Sequence, residues 1–130
     1  MKNIITIAII LILPILVYFV MNKTSNDVVV FAQDNSKPSL LIFSSTMCLD
    51  CQKMKTILNE IQPTYSDRVN FVQINATENS RKIKDMVKKH SVVLVPTIVF
   101  VNEDSNETGR IEGYVSKEDL IKEIEAVING

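Results

Sequence analysis

The sequence predicts an α/β domain, with a central mixed sheet covered by helices on both faces, behind an apolar N-terminal helix. Three observations lead there. Apolar runs of strand length alternate with segments whose apolar residues recur at helical spacing, and near the end two strand-like runs follow one another before a last helical segment. Residues Ile4 to Met21 form an almost continuous apolar run with no charge inside it. The two cysteines of the chain, Cys48 and Cys51, stand where the run Leu40-Leu41-Ile42-Phe43 gives way to a helical pattern.

The elements follow in order. As a helix rising ~1.5 Å per residue, Ile4 to Met21 nearly crosses a ~30 Å hydrocarbon layer. Pro14 is tolerable there as a kink, and Tyr18 and Phe19 fall near the distal interface. A cleaved signal peptide is the competing reading, but the Val30-Phe31-Ala32 pattern lies well beyond the run, which exceeds the usual ~7–15-residue signal core. The expectation is a short flank at 1–3, a single-pass membrane anchor at 4–21, a polar spacer at 22–27 and one domain at 28–130, placed outside the cytoplasm. Orientation is weakly encoded, since Lys2 on one side faces Lys23 and Lys37 on the other.

Val28 to Phe31 reads as a short strand whose pairing stays open, because the gap to the next apolar run is too short for a full crossover helix. Leu40 to Phe43 reads as a central strand buried on both faces. Met54, Ile57, Leu58 and Ile61 then recur at helical spacing, with a stop expected near Gln62 ahead of Pro63. Val69 to Ile74 alternates as a strand. Thr77 reads as the N-cap, with Asn79 and Ser80 behind it, of a helix carrying Ile83, Met86 and Val87 up to His90, which in turn reads as a surface cation suited to the helix end. Thr97 to Val101 is a strand, Asn102 to Thr108 a polar turn, and Gly109 to Tyr114 its hairpin partner. Ser116, with Asp119 three residues on, caps a last helix with Leu120, Ile121, Ile124, Val127 and Ile128 on one face.

Composition narrows the function. The 130-residue chain has a net charge of −1 with acids and bases interspersed, so no nucleic-acid partner is expected. No Gly-rich phosphate loop occurs among its three glycines. Two cysteines cannot form a disulfide framework, and they supply only two of the four ligands of a closed zinc site, while the sole histidine, His90, has no second ligand near it in sequence. No metal and no cofactor are expected beyond the redox pair itself. What remains is exchange chemistry. A cysteine at a helix start sits near unpaired N–H groups whose partial positive charge favours a thiolate, and a second cysteine one turn on can close the ring.

Over roughly Leu40 to Asn129 the chain resembles the thioredoxin family. The marks are Cys48-Leu49-Asp50-Cys51 between strand and helix, Val95-Pro96-Thr97 later in the chain, and Gly113 ahead of the final helix. Within the family, Phe43 to Met54 with Asn75-Ala76-Thr77 and the Val-Pro-Thr are similar to the reductant-delivering domains attached to membrane thiol transporters. The resemblance implies a thioredoxin-like fold, a cis peptide before Pro96, an attacking Cys48 and a resolving Cys51. It also implies protein disulfides as substrates, bound along the backbone of Val95 beside Pro96, and a membrane thiol-reductant donor. Met47 and Leu49 are candidates for an apolar contact rim, although Met47 suits the core equally well.

Several positions depart from the family's common form. Met47 stands where Trp is usual, and Leu49-Asp50 replaces Gly-Pro. Asp50 puts a carboxylate in the first helical turn, which suits the dipole but opposes a nearby thiolate, so it is expected to make the pair more reducing. Ile42 and Gln73 occupy the places of a buried acid and a Lys. The expected activity is reductive thiol–disulfide exchange; an oxidant or isomerase of the same fold, or a non-enzymatic module with a resting disulfide, are the alternatives.

Overall fold

The computed structural model describes residues 36–130 together with 11–15 and 17–18. In the main body, β1 (Ser39–Ser44), α1 (Leu49–Tyr65), β2 (Asn70–Asn75), α2 (Arg81–Lys89), β3 (Thr97–Val101), β4 (Glu107–Glu112) and α3 (Lys117–Asn129) follow one another. The strands form one sheet in the order β2-β1-β3-β4. β1 and β2 are parallel, as a crossover through α1 allows, whereas β1 with β3 and β3 with β4 are antiparallel. The sheet is therefore mixed.

Alternation along the strands divides the core. Leu40 and Ile42 of β1, with Phe71, Ile98 and Phe100, face Met54, Leu58 and Ile61 of α1 and Leu120 and Ile124 of α3. Leu41 and Phe43, with Val72, Ile74, Val99 and Val101, face the other way, onto Ile83 of α2. Every residue from Leu40 to Phe43 is buried, which is why β1 reads as an unbroken apolar run. Helices pack on both of its faces, and the cysteines follow a short turn after its C-terminal end.

Local expectations fail in four places. α1 does not stop at Gln62 but runs through Pro63 to Tyr65. Pro63 removes the N–H that would reach Asn59, yet both residues are exposed, so the freed carbonyl faces water. Burial of Tyr65 and the Ser66 N–H donated to Gln62 O at 2.9 Å carry the extra turn. Thr77 is not the cap of α2, because its N–H and hydroxyl both go to Asn75 Oδ1, at 3.2 and 2.7 Å. Ser80 caps instead, accepting the Ile83 N–H. β4 begins at Glu107 rather than Gly109, its exposed polar residues blurring the strand pattern.

His90 is not a surface cation. It is 7% exposed, its ring centroid 6.0 Å from that of Phe43. The chain turns inward there, with Ser91 at φ 50°. Burial, and then the Lys89 charge, hold the imidazole below its usual pKa, with Glu107 opposing. The strand at 28–31, the spacer at 22–27 and most of the run at 4–21 lie outside the described residues. Within that run 11–15 and 17–18 are helical and exposed. No described helix is long and apolar enough to cross a membrane.

Candidate active site

Cys48 is the N-cap of α1, with extended backbone angles of φ −97° and ψ 118°. Its sulfur takes the place an oxygen fills in an ordinary cap, because the Cys51 N–H points at Cys48 Sγ from 3.1 Å. Negative charge on that sulfur is thus met by a backbone donor and by the positive end of the helix. Cys51, one turn on, is buried while Cys48 is partly exposed. The two are joined as a disulfide, with Cα atoms 5.2 Å apart. Their difference in exposure makes Cys48 the sulfur an incoming partner can reach.

The second wall of the site comes from the loop before β3. The Val95–Pro96 peptide is cis. Cys48 Sγ lies 3.7 Å from the Val95 carbonyl oxygen, which a thiol at that position can reach as a donor. Pro96 is buried. Two contacts hold this loop: the Thr97 hydroxyl donates to Leu94 O at 2.8 Å, and the Gly113 N–H donates to Pro96 O at 2.8 Å. Gly113 has φ 88°, a conformation that favours glycine and explains its presence ahead of α3.

The rim is apolar. Met47 is 93% exposed and Leu49 75%, so Met47 is not part of the core. Val93, in the loop leading to Pro96, is 84% exposed but lines a groove with Ala76 and Val87 instead, and Tyr114 is also open. Neither stood out in the sequence, since a single exposed apolar residue has no pattern around it. Asp50 has a partner: Lys53 Nζ sits 3.0 Å from Asp50 Oδ1 and 5.7 Å from the centre of the Tyr114 ring. The i,i+3 spacing of Asp50 and Lys53 was a usable signal for this pair.

Behind Cys51 lies a cavity of about 330 Å³, lined by Cys51, Ile42, Ser45, Lys55, Gln73 and Asn75 among others. Ile42 and Gln73 are register partners across β1 and β2. The two departures from the family's charged pair therefore fall together at the buried sulfur. Among the described residues no group of three His, Cys, Asp or Glu side chains is placed to hold a metal ion.

A family profile described as a thioredoxin-like domain matches residues 25–128. Among curated proteins, the chain is 26% identical over 99 residues to thioredoxin-like protein HCF164, chloroplastic, of Arabidopsis thaliana, covering 76% of this chain and 37% of that protein. It is 30% identical over 112 residues to thioredoxin Y2, chloroplastic, of the same plant, covering 86% of this chain and 64% of the relative. With the thiol:disulfide interchange protein DsbD of Campylobacter jejuni it shares 29% identity over 101 residues, covering 72% of this chain but 17% of that protein. The chain thus spans well under half the length of the first and last of these relatives. Among solved structures, oxidised thioredoxin O2 of Arabidopsis thaliana superposes with a TM-score of 0.62 at 25% identity, covering 75% of this chain and 80% of that one.

Proposed function

The chain belongs to the thioredoxin-like family, and from that premise we propose that it is a thiol–disulfide oxidoreductase that reduces disulfides of other proteins. The observation that carries this is the capping of α1 by Cys48 Sγ, which accepts the Cys51 N–H within 3.7 Å of the Val95 carbonyl. The Cys48 thiolate attacks one sulfur of a substrate disulfide, forming a mixed disulfide and releasing the other sulfur as a thiolate. Cys51 then attacks Cys48 Sγ, closes the intramolecular disulfide and frees the second substrate sulfur. An extended substrate segment lies along the backbone of Val95, with Pro96 against the sulfurs and Met47 and Leu49 giving it an apolar border. No cofactor enters these steps; the electrons reside in the Cys48–Cys51 pair.

The setting proposed is a membrane surface. The uncharged run at 4–21 serves as a single-pass anchor, a spacer at 22–27 follows, and the domain works on the extracytoplasmic side. A membrane thiol transporter would then re-reduce the pair, a partner suggested by the likeness to an interchange protein. Asp50, in the first turn of α1, favours the reducing direction.

The test is capture by the full chain. Cys51→Ser should accumulate mixed disulfides on Cys48 and partition with membranes, while Cys48→Ser captures nothing. Failure of Cys51→Ser to capture any disulfide-bearing protein would overturn the exchange mechanism. Recovery of the chain as a soluble product trimmed after Ala32 would overturn the anchor. Equilibration with glutathione gives the direction: a potential near or below about −250 mV suits a reductant, and one near −120 mV an oxidant.

A further inference from the structure

The resolving step requires a thiolate at Cys51, in a buried setting. Cys51 is 5% exposed, and burial disfavours a thiolate. On its sheet side stand Ile42 and Gln73, which bring no charge to accept its proton or to stabilise the anion. The cavity beside Cys51 has one charged side chain in its lining, Lys55. Lys55 follows Cys51 by four residues on α1, the spacing that puts two side chains on the same helical face. Lys53 spends its charge on Asp50, but Lys55 makes no ion pair among the described residues.

We propose that Lys55 is a positioning residue for the second half of the exchange, holding the Cys51 thiolate across the cavity while it attacks Cys48. The proposal rests on the exchange reading above and deepens it. In the step itself, the Cys51 thiol gives its proton to solvent through the cavity mouth, and its sulfur pair forms the bond to Cys48 Sγ. The bond between Cys48 and the substrate sulfur breaks, and that sulfur leaves with the electron pair and takes up a proton. The protein dithiol is oxidised and the substrate disulfide is reduced. A cation at the resolving sulfur thus favours the thiolate by attraction, where a carboxylate would favour it by accepting the proton.

The two halves separate in stopped-flow absorbance when the reduced full chain meets an aromatic disulfide that releases a coloured thiolate. The first release reports attack by Cys48 and the second reports resolution by Cys51. In Lys55→Met the first phase should be unchanged. Loss of one charge at a partly screened site raises the Cys51 pKa by up to about one unit, so the thiolate fraction falls by up to tenfold below that pKa. Intrinsic nucleophilicity rises with pKa, with a Brønsted slope of about 0.4–0.5, leaving resolution about threefold slower at neutral pH. At high pH, where Cys51 is fully ionised, the rate should equal or exceed that of the wild type. Lys55→Arg should restore the neutral rate.

An unshifted midpoint in the pH profile of the second phase would overturn the proposal, as would a lowered high-pH plateau or failure of Lys55→Arg to rescue. Cys51→Ser, run alongside, shows the first release without the second if exchange operates at all. Its result separates failure of the exchange reading from failure of the Lys55 assignment.

Discussion

Among the described residues, the core on the α1/α3 face of the sheet holds twelve buried residues, against seven on the α2 face. α1 buries Cys51, Met54, Leu58, Ile61 and Tyr65, while α2 buries Ile83 alone. The heavier face carries the reacting sulfurs, since Cys51 is buried on α1 and Cys48 caps that helix through the Cys51 N–H. The lighter face supports the chain from His90 toward Pro96, and its seal includes an ionisable ring. Among the described residues, the face that carries the thiols is thus the more heavily packed, and the loop before β3 rests on the lighter one through Val92 and Val95.

The largest expected effect that tests this contrast is truncation of α1. Leu58 is 2% exposed and packed in the larger cluster, so Leu58→Ala should cost about 4 kcal/mol of global stability in urea unfolding. Ile83→Ala should cost about 2–3 kcal/mol, and hydrogen exchange should quicken in α2 well before α1. Equal loss of protection in both helices would show that the two faces fold as one unit.

A pH-dependent effect comes next and belongs to the lighter face. Burial holds the folded His90 pKa below the ordinary 6.5, so the fold favours the neutral ring. The stability it contributes is present above about pH 6.5 and is lost as pH falls through the folded value. Lys89 and Arg110 oppose protonation and Glu107 favours it. Urea midpoints measured from about pH 8 down to about pH 5 should therefore decline in the wild type and decline less in His90→Gln. Identical slopes would remove His90 from the account.

The smallest effect lies at the reactive end of the heavier face. Asp50→Asn removes a carboxylate that opposes a thiolate, but Lys53 already answers much of that charge from 3.0 Å. The potential should rise by less than about 30 mV, equivalent to under ~1.4 kcal/mol for two electrons. Glutathione equilibration of both proteins reads the difference. A fall in potential would reverse the sign assigned to Asp50.

Much of this protein is determined by sequence alone. Leu40 to Phe43, the helical spacing of Met54, Leu58 and Ile61, and the Ser116 cap with Asp119 announce their elements through periodicity and local hydrogen bonding, which depend on neighbours in the chain. Cys48, Cys51 and Pro96 were legible for the same reason, as a short motif and a residue with its own backbone constraint. Tertiary structure decided the rest. Pro63 stays inside α1 because burial of Tyr65 outweighs one lost hydrogen bond at the surface. His90 is buried because the loop after α2 folds back over Phe43, a partner 47 residues earlier in the chain. Gly113 reaches Pro96 across the β3–β4 hairpin, and Ile42, Gln73 and Lys55 meet at Cys51 only once two strands and a helix have packed. Periodicity reports which way a side chain faces along its own element; what it meets there depends on residues distant in sequence, and that juxtaposition arises when the layers close.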